Sequence, residues 1–135
     1  MDMLDKSFKT TEEKEIFMAE EFRLELKYGL TSKELREYLL EITYKNSAHC
    51  YAYDRLFQSY LGSMELEKAK LIAWKMISIE DNSFTRGYLE QIENTDEIID
   101  LVYRFGDRSK LPAHVVQEKK EEDERLLEWV ESLKE

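Results

Sequence analysis

A chain of 135 residues lies within the usual size of one domain and is long enough to bury a real core. Thirty acidic against twenty basic residues give a formal charge of −10, a field that repels phosphate backbones and favours basic partners. Although 42% of the residues are apolar, no run approaches the ~20 that cross a bilayer, and the single cysteine, Cys50, excludes an intramolecular disulfide.

Met1-Asp2-Met3-Leu4-Asp5 carries acids where a signal peptide carries bases, so the expected location is cytoplasmic. Four glycines and one proline punctuate the chain, and helix signals recur along it. Thr10-Thr11-Glu12-Glu13 offers a capping box to a first helix whose apolar stripe is Ile16, Ala19, Phe22 and Leu26, with Gly29 as its stop. Thr31 to Glu34 repeats that box ahead of a second helix, with Leu35, Leu39 and Ile42 facing inward. Ser47 caps a third helix ending at Gly62, and a fourth runs from about Met64 to Ile79. A short fifth helix carries Tyr88, Leu89 and Ile92, weakened by Gly87. Asn94 or Thr95 caps a sixth that buries Ile98, Leu101, Val102 and Phe105 before Gly106. Beyond the polar link 107–110, Pro112 suits the first turn of a seventh.

These helices pair with a period. Ala19, Phe22, Leu26, Leu35, Leu39 and Ile42, each advanced by 34, become Tyr53, Leu56, Tyr60, Ala69, Ala73 and Met76, all apolar or aromatic. A further 32 gives Thr85, Tyr88, Ile92, Leu101, Phe105 and Arg108, where the inner four hold. A period near 34 is what stacked helix–turn–helix units produce.

Within residues 53–81, Tyr53-x2-Leu56-Phe57-x2-Tyr60, then Ala69-x3-Ala73, then Asp81 resembles the tetratricopeptide pattern W-x2-L-G-x2-Y, A-x3-F, P. Phe57 stands where that family has a small residue, and the closing proline is absent. The resemblance implies an all-α fold, a short right-handed stack of antiparallel helical hairpins (a tetratricopeptide-like α-solenoid, or else a helical bundle) over residues 1–111. It also implies that first-helix positions line a concave ligand surface, which nominates Tyr51, Asp54 and Gln58 as contacts for a bound segment.

Catalytic constellations are scarce. His49 and His114 lie on different expected elements, and neither belongs to a metal motif. His49 and Cys50 are adjacent, so on a helix they point about 100° apart and form no nucleophile–base pair. No glycine-rich phosphate loop exists. No catalytic residue, metal site or cofactor is expected.

Residues 112–135 read as a C-terminal helix in two parts. Gln117 to Arg125 is wholly polar, with Lys119–Asp123, Lys120–Glu124 and Glu121–Arg125 oppositely charged at i,i+4. Leu126, Trp129, Val130 and Leu133 then form an apolar stripe, either a cap folded over the last hairpin or an arm that docks on a partner or a second copy.

The expected function is therefore a non-catalytic protein-binding module. Its sharper form is an acidic inhibitor or immunity-type protein that occupies a basic surface of another protein, with homo-oligomerisation through the C-terminal helix left open. The alternative is a small helical DNA-binding transcriptional regulator, since Leu30-Thr31-Ser32-Lys33-Glu34-Leu35-Arg36 opens a helix much as helix-turn-helix units do. The net charge and the single base Arg55 on the candidate recognition helix disfavour nucleic acid.

Overall fold

The computed structural model describes residues 4–134. Six α-helices follow one another: α1 (Thr11–Tyr28), α2 (Lys33–Lys45), α3 (Cys50–Gly62), α4 (Leu66–Ile79), α5 (Ser83–Phe105) and α6 (Ala113–Ser132). Single 3-10 turns stand at Asp5–Ser7 and Arg108–Lys110, and no strand occurs among the described residues. The chain is all-α, and none of these helices is long and apolar enough to cross a membrane.

The expected fifth and sixth helices are one. α5 runs for 23 residues through Gly87, Asn94 and Thr95. An interior glycine costs roughly 1 kcal/mol against alanine, and Asn or Thr costs less, so without a proline or turn nothing in this stretch stops the helix. The caps also differ by a residue or two from those expected. Thr10 does cap α1, its Oγ1 accepting the Glu13 amide at 3.0 Å, while the Glu13 carboxylate accepts from the Lys9 amide at 3.1 Å. α2 is capped by Ser32 rather than Thr31, and α3 by His49 rather than Ser47, through imidazole Nδ1. Gly29, at φ +100°, makes the reversal between α1 and α2, a conformation that a residue with a Cβ rarely adopts.

The chain divides into two compact units, Met1–Glu93 and Asn94–Glu135, with the break inside α5, whereas the sequence pattern places it at residues 111/112. In the first unit α3 is the central element, packed against both α2 and α4. Leu35, Leu39, Leu56, Phe57, Ala69, Ala73 and Met76 are fully buried. Ala69 and Ala73 on α4 are buried in the same core cluster as Leu56 on α3, and their small side chains suit the close packing of these two helices. Phe57, where the repeat pattern has a small residue, meets the edge of Tyr88 with ring centroids 4.8 Å apart and so ties the start of α5 to α3. Arg36 on α2 bonds the Ser59 hydroxyl at 2.7 Å, the Ser59 carbonyl at 3.0 Å and the Ser63 hydroxyl at 2.9 Å, and pairs with Glu65 at 3.1 Å. One guanidinium thus fixes α2 against the α3–α4 turn.

The six middle positions of the repeat, Tyr53, Leu56, Tyr60, Ala69, Ala73 and Met76, are all buried or half-buried, but those of the outer blocks are not. On α1 the expected stripe of Ile16, Ala19, Phe22 and Leu26 is exposed, Leu26 by 72%, and the inward residues are Phe17, Glu21 and Leu24. α1 has two apolar faces. The face that wins also carries the acids that meet Arg55 and the ring that joins Phe8, Tyr38, His49 and Tyr51.

In the second unit Ile99, Tyr103, Leu111 and Val115 are buried, while Ile98, Leu101 and Phe105 stand outward, Phe105 by 84%. Ion pairs supplement this small core: Arg104 with Asp123 at 3.0 Å, and Lys119 with Asp96 and Asp100 at 3.6 Å each. Arg108 sits 3.8 Å from the centroid of the Tyr103 ring. The stripe of Leu126, Trp129, Val130 and Leu133 does not cap a hairpin, since its members are 38% to 65% exposed. It continues, at heptad spacing, the face on which Val115 is buried and Lys119 is paired, but the last turns of α6 run on into solvent.

Candidate functional site

Tyr51, Asp54 and Gln58 share one face of α3 at i, i+3 and i+7, and all three are half-buried. The Tyr51 ring packs on Phe8 and Phe17, 5.4 Å from each centroid, and its amide donates to the Ser7 hydroxyl at 3.0 Å. Asp54 accepts a hydrogen bond from the Tyr88 hydroxyl at 2.6 Å, a length typical of a charge-assisted bond. That bond engages Oδ1 of the half-buried carboxylate.

Arg55, one turn beyond Tyr51, belongs to the same face and organises it. Its Nε lies 2.6 Å from Glu21 Oε1, and its terminal nitrogen 3.2 Å from Glu25 Oε2. Glu21 and Glu25 come from successive turns of α1, so one helix face delivers both acids to one guanidinium. Glu21 is 6% exposed, and its Oε2 has no hydrogen-bond partner among the described residues. Burial pushes the Glu21 carboxyl above the ordinary range. The neighbouring Arg55 opposes that rise, while Glu25 and Asp54 add to it by like-charge repulsion. Burial alone would lower the Arg55 value, but Glu21 and Glu25 outweigh it and hold the guanidinium charged. Three carboxylates therefore converge on one cation, and the face is negative by more than its pairing requires.

The sequence pattern missed Glu21, Glu25 and Tyr88. The signal for the first two was their i,i+4 spacing on α1, opposite an isolated base on the mostly apolar α3. The remaining nominated residues, Leu126, Trp129, Val130 and Leu133, lie exposed in the second unit. His49 uses Nδ1 to accept the Ala52 amide at 3.1 Å, and burial lowers its basicity. Cys50 beside it is buried, and burial raises its thiol value. Among the described residues no group of three or more His, Cys, Asp or Glu side chains is placed to hold a metal ion.

No family model, curated protein or solved structure matches this chain.

Proposed function

We propose that the chain is a non-catalytic protein-binding module whose α1–α3–α5 face receives a basic segment of its partner. The observation that carries this reading is the excess of acid on that face: Glu21, Glu25 and Asp54 gather about the single cation Arg55, beside Tyr51 and Gln58. A lysine or arginine of a partner meeting Glu25 and Asp54 would relieve the repulsion that now acts on Glu21. The whole-chain charge of −10 would steer such a partner in.

The face is read as the concave side of a short right-handed, tetratricopeptide-like stack, with α1, α3 and the start of α5 as its first-helix positions. On this reading the protein acts as an acidic inhibitor or immunity-type protein covering a basic surface. The DNA-regulator alternative has less support, because Arg55 is held by two glutamates and Arg36 is held by Ser59, Ser63 and Glu65.

Capture of partners from the native cell, run in parallel with wild-type protein and a Glu25→Gln/Asp54→Asn double variant, tests the proposal. A basic protein retained by the wild type, released by salt and lost from the double variant is the expected result. Equal retention by the double variant would sink the assignment of this face.

A further inference from the structure

The second unit, Asn94–Glu135, buries Ile99, Tyr103, Leu111 and Val115 but exposes Ile98, Leu101 and Phe105 on α5 and Leu126, Trp129, Val130 and Leu133 on α6. A body of about 40 residues rarely holds enough core to stand alone, and association with another chain is a usual remedy. The two exposed sets are stripes of equal length. Ile98, Leu101 and Phe105 lie at i, i+3 and i+7, and the α6 residues at i, i+3, i+4 and i+7, each spanning about 10 Å of helix.

These stripes cannot meet within one chain. On α5, Ile99 and Tyr103 are buried, and Asp96, Asp100 and Arg104 pair with Lys119 and Asp123, so that side faces α6. At about 100° per residue, Ile98, Leu101 and Phe105 fall on the opposite side. The α6 stripe follows Val115 and Lys119 on the side already turned to α5, but lies past the last pair, Arg104–Asp123. A helix held on one side of α5 does not reach the other.

A second copy supplies both missing partners at once. The seven side chains are 38% to 84% exposed, and at roughly 150–250 Å² for a large side chain this leaves about 800 Å² of apolar surface per copy. A specific interface of standard size buries about 800 Å² per partner. Charge is arranged to permit the contact. Glu97 borders the α5 stripe and Arg125 the α6 stripe, which places an acid opposite a base at the rim. Glu124, Glu128 and Glu131 stand on the back of α6, so the acids of two chains of charge −10 are kept out of the joint.

From this arrangement we infer that the chain forms a closed two-fold dimer in which the end of α6 of each copy lies on the outward stripe of α5 of the other. The two contacts are identical and reciprocal, so the assembly stops at two. It is independent of the acidic face around Arg55, and because it lies wholly in the second unit, its measure is the state of association rather than the melting of the first.

Sedimentation velocity of the full chain between about 1 and 500 μM should show monomer and dimer in exchange, with a Kd on the order of 10 μM and no larger species. Phe105→Glu spoils the α5 stripe and Trp129→Glu the α6 stripe, both at exposed positions; each variant alone should remain monomeric with wild-type helicity by circular dichroism. Ile98→Lys and Leu126→Lys repeat the two lesions at other sites and should behave alike. An equal mixture of Phe105→Glu and Trp129→Glu should dimerise again, more weakly than the wild type, because the intact α6 of the first fits the intact α5 of the second. A wild type that is monomeric throughout, a Phe105→Glu chain that still dimerises (α6 pairing with α6), a mixture that stays monomeric, or oligomers that grow without limit would each overturn the inference.

Discussion

Removing the Tyr88 hydroxyl should separate what Asp54 does for the fold from what it does for a partner. In Tyr88→Phe the ring keeps its edge contact with Phe57, at 4.8 Å, so the packing term is conserved. What is lost is a 2.6 Å hydroxyl–carboxylate bond, and bonds to charged groups contribute about 1.5–3 kcal/mol. Asp54 is only half-buried, so water can reach the vacated oxygen, which sets the expected loss at the lower end, about 1.5 kcal/mol. For a unit of this size that corresponds to a fall in melting temperature of roughly 6–12 °C. Urea denaturation of wild type, Tyr88→Phe, Asp54→Asn and the double variant, treated as a thermodynamic cycle, measures the coupling directly. Partner capture by Tyr88→Phe should survive, because the Asp54 carboxylate remains, whereas Asp54→Asn should lose it. A Tyr88→Phe variant as stable as the wild type would refute the assignment of that bond to the fold.

Two further outcomes follow from burial and exposure. Glu21 has a folded-state value above that of an unfolded carboxyl near 4.5, so its folded form favours the proton. Its contribution to stability is therefore fully present below that value and is lost as the pH rises through the folded-state value. The stability of Glu21→Gln relative to the wild type should accordingly rise between about pH 4 and about pH 7; thermal melts across that range check it, and a relative stability that is flat or falls over the range refutes it. Removing residues 126–135 should leave the melting of the first unit within about 0.5 kcal/mol of the full chain, since the stripe it deletes is exposed. A loss above about 1 kcal/mol would mean that Leu126, Trp129, Val130 and Leu133 are covered after all.

The legible part of the fold was the part with one solution. α3 is buried on most of its faces and α4 closes on it through Ala69, Ala73 and Met76, so the repeat positions from Tyr53 to Met76 fell on the core, although α4 also leaves Leu71 and Trp74 exposed. α1 could not be oriented by the same means, because Phe17 and Leu24 on one face compete with Phe22 and Leu26 on the other. The winning face is the one with partners distant in sequence, Arg55 for Glu21 and Glu25, and Tyr38, His49 and Tyr51 for Phe17. The α5 break failed for a different reason: Gly87, Asn94 and Thr95 are weak helix formers, and weak is not the same as broken. At the candidate site, Asp54 and Gln58 were nominated by position alone. The bond from Tyr88 and the convergence of Glu21 and Glu25 are tertiary facts that no local window contains.

Cys50 offers a way to watch the first unit in action. It is the lone thiol of the chain, sealed at the first residue of the helix around which that unit is built. A bulky thiol reagent cannot reach it in the closed state, so modification must wait for the start of α3 to open. Where reclosing outpaces labelling, the observed rate scales with the open fraction, and each tenfold slowing equals about 1.4 kcal/mol of opening free energy. The native chain thus carries a built-in stopwatch, and any occupant that tightens the start of α3 would register as slower labelling without an added probe.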